Sequence, residues 1–528
     1  MSRDAAVSDR APAPTRRRLL AGVAALGAGL AGCGEQRSPA DRGSGGGSLT
    51  AALRRTPVTL DPVYATDVAS RQVVDLLFDG LYELDQSLEP VPVLADGEPE
   101  MRDGGTRYRV SLDTAARFQN GDPVTAADVA YSYRVPRLLD APTAWLLDPI
   151  ESVTAVDPAT VRFDLAAPYP AFRWTLTWPV MPALVRESDP AAFATSRPIG
   201  SGRFAFRTWN ATEYLLLDGV EDHWSGQDAA LDRLKLLAVP NGTERMTALR
   251  SGKTGAVEAV PPPLWPTVER LDELRIESVR GLNYYYLGFN CRDGPTADRR
   301  VRRAVDFATD VDRAVQDVVP PAGEQVHGPL PPSMASAWGF PTDEWASIGH
   351  DRNVVRAIDL LADAETPGDW QPRILVPPDG PAVEVATRLA AHFAETGYDA
   401  RVVRRGWRDY HRSRTSGEYD MFVGEWLGGP DPDHFLYPLL SEPAQGRTAG
   451  TFYAGAAEPI RRARRTMSGP VRGALYDRAV RTLLESRAHL PLYAKRHDFG
   501  LRNRVIDFQP HPTRSFTVAT SFNQARVE

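Results

Sequence analysis

Two tryptophans stand where this chain could do chemistry, and that chemistry is binding. Trp407 follows Gly406, and Trp426 sits in Glu425-Trp426-Leu427-Gly428-Gly429. Each comes soon after a short apolar run, so each is expected where a strand gives way to a turn. An aromatic side chain there supplies apolar area, and neighbouring backbone and acidic groups supply direction. A third candidate is Tyr285 in Asn283-Tyr284-Tyr285-Tyr286. Strand alternation puts Tyr284 and Tyr286 on one face and Tyr285 on the other. One face must pack, which leaves Tyr285 and its neighbour Asn283 as candidate contacts. Catalytic signatures are missing: there is no G-x-S-x-G elbow, Gly-rich phosphate loop or Cys/His pair in a motif context. The nine histidines show neither H-E-x-x-H nor H-x-x-E-H spacing. His434 in Asp431-Pro432-Asp433-His434 is expected at the surface beside a helix start, with Asp431 as N-cap and Pro432 at the first helical position. No metal and no cofactor is expected.

The elements that position these residues are legible in outline. Ile374-Leu375-Val376, Val402-Val403 and Met421-Phe422-Val423 read as strands. Between them, Ala386, Leu389, Ala390 and Phe393 line one helix face that Gly397 ends, and Arg408 to Ser416 forms a second helix. Strand–helix–strand–helix–strand implies parallel pairing. Ligands bind beyond the carboxyl ends of such strands, which here carry Pro377-Pro378-Asp379, Gly406-Trp407 and Glu425 to Gly429. Earlier, Leu49 to Leu53 reads as a strand, and Val74, Leu77, Phe78 and Leu81 as one helix face. Tyr108, Val110 and Leu112 alternate, as do Val161, Phe163 and Leu165 after the turn signal Asp157-Pro158. Thr125 to Asp128 starts a helix with a capping-box pattern. Val301, Ala304, Val305, Ala308 and Val315 predict one long amphipathic helix capped by Asp298.

The amino terminus reads as a targeting segment. Arg16-Arg17-Arg18-Leu19-Leu20 precedes an apolar run from Ala21 to Ala31, too short to span a bilayer. Paired arginines before leucines match a twin-arginine export signal. The run ends in Leu30-Ala31-Gly32-Cys33, the pattern of a lipobox whose thiol receives a diacylglyceryl group. Residues 1–32 are then a signal peptide and 33–48, rich in Gly and Ser, a flexible linker. The expected location is the periplasm or cell surface, on a lipid anchor.

At 528 residues the chain exceeds one ordinary core and must divide. Hydrophobic content of 42% and charged content of 24% are those of a globular protein. A net charge of −7 gives no reason to expect a nucleic-acid partner. Two cysteines, Cys33 and Cys291, are too few for a disulfide framework or a thiolate metal cluster.

Several ordered segments together resemble the extracellular solute-binding proteins, family 5, of dipeptide, oligopeptide and nickel ABC importers. Phe118-Gln119-Asn120-Gly121-Asp122-Pro123-Val124-Thr125-Ala126-Ala127-Asp128-Val129 is similar to that family's signature. Pro198-Ile199-Gly200-Ser201-Gly202, Leu287-Gly288-Phe289-Asn290 with Asp298 to Ala308, Asp431-Pro432-Asp433-His434-Phe435, and Leu490-Pro491-Leu492-Tyr493 follow in family order. The resemblance implies an α/β, two-lobed periplasmic-binding-protein fold of type II. Its first lobe holds residues 49–285 with a β-rich insert at 83–195 and the returning 496–528, and its second lobe holds 286–495. It implies no catalysis, a monomer, and three partners: a small solute, a membrane permease, and the membrane through the anchor. The solute is a peptide on this reading, with Trp407, Trp426 and Tyr285 as apolar contacts and backbone near Gly428 and Gly429 as hydrogen-bonding groups. An oligosaccharide or other non-peptide solute is the alternative in the same architecture. The chain departs from dipeptide-binding relatives at Leu427-Gly428-Gly429-Pro430, where they carry an aspartate for the ligand amine. Glu425 is the candidate replacement. Val376-Pro377-Pro378 also lacks the arginine that some relatives use for the ligand carboxylate.

Overall fold

The computed structural model describes residues 47–378, 380–441, 450–513, 516, 518–520 and 524–528. The signal segment, Cys33, most of the linker and Asp379 lie outside the described residues. Among the described residues the largest sheet has twelve strands and is mixed. At one end Ser48–Leu53 runs parallel to Arg233–Ala238 and to Ala256–Glu258. At the other, Arg373–Val376 runs parallel to Arg401–Arg404 and to Met421–Leu427, as the alternating pattern predicts. The 14-residue strand His489–Arg502 joins the two ends. Its first half pairs with Asn283–Phe289, its second with Leu274–Arg280 and Ala256–Glu258. No helix of the described residues is long and apolar enough to cross a membrane.

A separate four-stranded antiparallel sheet holds Arg107–Ser111 and Thr160–Leu165 at its centre. Their alternating residues Tyr108, Val110, Val161, Phe163 and Leu165 are all buried in one cluster. Thr125 accepts from the Asp128 amide while the Asp128 side chain accepts from the Thr125 amide, so the capping box is complete. It starts the helix Ala126–Leu138, which packs on this sheet.

Two expected helices come out differently. The helix read through Leu81 runs Val68–Leu77 and stops at Phe78, whose backbone is extended (φ −128°, ψ 136°). Gly80 then forms a bridge with Pro179, and a Cβ on it would lie 2.7 Å from the Thr177 carbonyl oxygen. Phe78 and Leu81 are buried, so the apolar periodicity reports burial rather than helix. The long helix from Asp298 is two: Arg299–Ala308, capped by Asp298 as expected, and Val311–Gln316. Thr309 is extended, and Asp310 accepts from the Arg313 amide to start the second helix. A local side-chain cap thus wins over a continuous apolar stripe.

The Asn283–Phe289 strand separates two cores. Tyr284 and Tyr286 enter one with Phe422, and Tyr285, Leu287 and Phe289 enter the other with Val423. On the first face His489 is fully buried, its ring stacked 4.0 Å from that of Tyr286. Burial pushes its pKa from 6.5 down to about 3, so the folded ring is neutral. The unfolded chain takes up this proton below pH 6.5 and the folded chain does not until about pH 3. Stability is therefore present above pH 6.5 and is lost as pH falls, by up to about 1.4 kcal/mol per pH unit. His489→Phe should flatten that part of the curve. Urea midpoints at pH 7 and pH 4.5 check this, and an unchanged slope in the variant would exclude His489 as a source.

Candidate functional site

Parallel strands deliver their carboxyl ends to the same edge, and here two such edges meet. Ser48–Leu53 ends in Arg54 and Arg55; Arg401–Arg404 ends in Arg405, Gly406 and Trp407. The Arg55 guanidinium lies over the Trp407 ring, 5.1 Å from its centroid. Trp407 is half-buried and is the first residue of the helix Trp407–Ser416, one position earlier than the sequence indicates. Its ring packs edge-on against Tyr410 and stacks on His411, each at 5.9 Å.

Tyr285 stands directly opposite Glu425 in the ladder and stacks on Tyr493, with ring centroids 4.4 Å apart. Tyr285 is 6% exposed and Tyr493 fully buried, while Glu425 is half-buried. Glu425 and Arg54 both act electrostatically on Tyr493, and Glu425 and Arg55 both act on His411. One group therefore contains Tyr285, Glu425 and Trp407 together with Arg54, Arg55, His411 and Tyr493.

Trp426 lies inside the Met421–Leu427 strand, because the strand continues four residues past Val423. It is half-buried, donates its indole N–H to the His434 carbonyl at 2.7 Å, and approaches Trp145 at 6.1 Å. Trp145 precedes Ile150–Asp157, an edge strand of the four-stranded sheet, so this pair joins the neighbourhood of that sheet to the Met421–Leu427 strand.

The remaining candidates serve the fold. The Gly428 amide donates to the Leu282 carbonyl at 3.1 Å, and a Cβ on Gly428 would collide with the Phe435 ring. A Cβ on Gly429 would collide with the His434 ring. Both glycines let the chain turn tightly onto the helix Asp433–Leu440. Asn283 is fully buried, and its amide exchanges two hydrogen bonds with the Lys495 backbone and a third with His497. Its side chain is spent on the sheet.

Asp431-Pro432-Asp433 does start a helix, but Pro432 occupies the N-cap position. Asp431 reaches past it to accept from the Asp433 amide at 2.9 Å. Asp431 is fully buried and also accepts two bonds from Arg472, at 2.7 and 2.9 Å. Asp433 accepts from the Tyr169 hydroxyl at 3.0 Å, with Arg464 3.4 Å away. Burial raises the Asp433 pKa despite Arg464. Tyr169 belongs to the core of the four-stranded sheet, so this buried contact ties that sheet to the helix Asp433–Leu440. His434 is half-buried under Gly429 rather than at the surface, and burial lowers its pKa. Among the described residues no cluster of His, Cys, Asp and Glu is arranged to hold a metal.

Sequence reasoning passed over Arg54, Arg55, His411, Tyr493 and Trp145. The arginine pair had a usable signal, since it directly follows the strand read at Leu49 to Leu53. What was missing was that this strand has parallel neighbours. Trp145 and His411 had none, because only the folded chain brings them to the tryptophans.

Residues 89–447 match the family described as bacterial extracellular solute-binding proteins, family 5. Protein XP55 of Streptomyces lividans is 28% identical over 524 residues, covering 92% of this chain and 91% of that protein. Oligopeptide-binding protein AppA of Bacillus subtilis is 27% identical over 337 residues, 61% of each. The periplasmic binding protein DppA of Helicobacter pylori, solved with the peptide STSA, superposes with a TM-score of 0.81 at 23% identity, over 91% of this chain and 98% of that one. The fold is thus the two-lobed α/β architecture of type II. With more than half its length matched, the chain belongs to the bacterial extracellular solute-binding proteins, family 5.

Proposed function

We propose that this chain captures a peptide between its lobes and presents it to the permease of an ABC importer, without catalysis of its own. The observation that carries this reading is the aromatic and charged group at which the strand ends of two lobes meet. The names of the relatives favour a peptide over a sugar, since AppA is an oligopeptide-binding protein and DppA was solved with a peptide. Trp407, Trp426 and Tyr285 supply the apolar contacts, with Glu425 opposite Tyr285 in the ladder and Trp426 opposite Tyr284 on the other face. Gly428 and Gly429 shape the wall, and an extended ligand pairs with main-chain groups beside them. The first lobe comprises 49–285 and 496–528 with the 83–195 insert, and the second comprises 286–495. The Tyr169–Asp433 and Trp145–Trp426 contacts hold the closed form. Cys33 tethers the exported monomer to the membrane after a twin-arginine signal.

A mixed tetrapeptide library tests the solute. After gel filtration with the library, peptides should remain bound and appear by mass spectrometry, and the radius of gyration should fall. Retention of oligosaccharides in place of peptides would remove the peptide reading. Expressed in a bacterial host, Cys33→Ser should move the protein from salt-washed membranes to the soluble fraction.

A further inference from the structure

We propose that Met101 and Met467 are paired sulfoxidation sites, at which a hydroperoxide loosens the contact between the four-stranded sheet and the turn before the helix Gly469–Ser486. The consequence for solute capture rests on the two-lobed peptide reading above, and the modification itself does not.

The chain has seven methionines, of which Met1 lies outside the described residues. Met181, Met246, Met334 and Met421 are all buried. Met101 and Met467 are 53% and 44% exposed, and these two come together. A Cβ placed on Gly105 would lie 3.3 Å from the Met467 sulfur and 3.7 Å from the Met101 sulfur. Gly105 has φ +91°, in the left-handed region, and the side chain it lacks leaves the space that the end of Met467 occupies. Met101 lies in Glu100–Arg102, the edge strand of the four-stranded sheet. Met467 lies in the short turn between the helices Ala457–Arg464 and Gly469–Ser486. The two methionines that water reaches are therefore the two that meet at this junction.

A thioether needs only access to react with a hydroperoxide. The sulfur lone pair attacks one peroxide oxygen, and the O–O bond breaks as the S–O bond forms. The departing hydroxide takes the proton of the transferred oxygen and leaves as water. The sulfur is oxidised by two electrons and the peroxide is reduced. The product is a polar sulfoxide where the contact was apolar. Its oxygen keeps its water only if the two side chains part. On the division proposed above, Met101 belongs to the insert of the first lobe and Met467 to the second lobe. Closure then brings the two sulfurs together, and oxidation acts against it.

The test uses the mature protein, hydrogen peroxide as oxidant and the tetrapeptide library. Peptide mapping by mass spectrometry should find Met101 and Met467 oxidised at least about tenfold faster than the four buried methionines. Without added peptide, hydrogen exchange at 100–105 and 465–468 should rise about threefold or more in the oxidised protein. It should not rise in the double variant Met101→Leu with Met467→Leu under the same treatment, since leucine keeps the apolar bulk and has no sulfur. Oxidised wild-type protein should bind the library about threefold or more weakly, and methionine sulfoxide reductases with a dithiol should restore binding. The double variant should bind as untreated wild type does, with or without peroxide. Oxidation spread evenly over the methionines, exchange that does not rise, or an equal loss in the double variant overturns the proposal. Raised exchange with unchanged affinity overturns the link to closure and leaves the peptide reading intact. If untreated protein binds no peptide, the peptide reading fails, and mapping with exchange alone decides the modification site.

Discussion

Asp431→Asn should lower the stability of the ligand-free protein by about 3–5 kcal/mol, the usual cost of stranding a buried charge. Asp431 is fully buried, and Arg472 gives it two bonds from one nitrogen. Arg472 is itself buried beneath Trp338 and Tyr476, at 5.1 and 5.4 Å from their rings. Burial works against its charge, and Asp431 together with the Tyr476 hydroxyl more than offsets that. Asparagine preserves the volume and can still accept from the Asp433 amide, so the helix start survives. What it removes is the counter-charge. The control is the double variant Asp431→Asn with Arg472→Met, which removes both charges and should regain much of the loss. Denaturant midpoints for the four proteins form the cycle. A single-variant loss below about 1 kcal/mol would mean that Arg472 reaches water when its partner is neutralised. The expectation for function differs from that for stability. Asp431 does not touch the wall directly, but it sets the helix on which Asp433 meets Tyr169 and His434 meets Trp426.

What the sequence showed depended on whether a signal was local. Thr125 and Asp128 lie three residues apart, so the capping box was visible without knowing anything else. The strands at 374–376, 402–403 and 421–423 were visible because buried parallel strands are short apolar runs, and their order fixed their direction. The parallel pairing of Ser48–Leu53 was not visible. Its partners begin 185 and 208 residues later, with the four-stranded sheet and many other elements between. The arginines at its end therefore stayed unremarked, although the second lobe's tryptophans were found by the same rule. The ion pair of Asp61 with Arg186 is another case: both are buried and 125 residues apart, and neither has a local pattern. Asn283 misled for the opposite reason. A polar residue before three tyrosines looks like a ligand contact, whereas burial against the Lys495 backbone gives it structural work.

Trp426 carries the second large effect, on affinity. Trp426→Ala should weaken peptide binding by about 2 kcal/mol or more, roughly thirtyfold, as for other aromatic anchors at interfaces. Two surfaces depend on this side chain. One is, in the proposed function, the wall that meets the solute, and the other is the contact with Trp145. Truncation weakens closure as well as contact, and the two losses appear together in the measured affinity. The indole N–H complicates the milder variant. Trp426→Phe leaves the His434 carbonyl without its donor, which costs about 0.5–1.5 kcal/mol of ligand-free stability. A small fall in melting temperature is therefore expected of Trp426→Phe and does not by itself place the ring in the core. Trp145→Phe separates the remaining contributions. It keeps the His434 bond and the second-lobe wall and disturbs only the contact between the two rings. Calorimetry with the tetrapeptide library and unfolding of the ligand-free proteins give the two readouts. If Trp426 lines the site, Trp426→Ala should lose more affinity than Trp145→Phe, with a stability loss below the roughly 3–5 kcal/mol of a fully buried tryptophan. A stability loss of that size with wild-type affinity would make Trp426 a core residue and move the wall to Trp407 and Tyr285 alone.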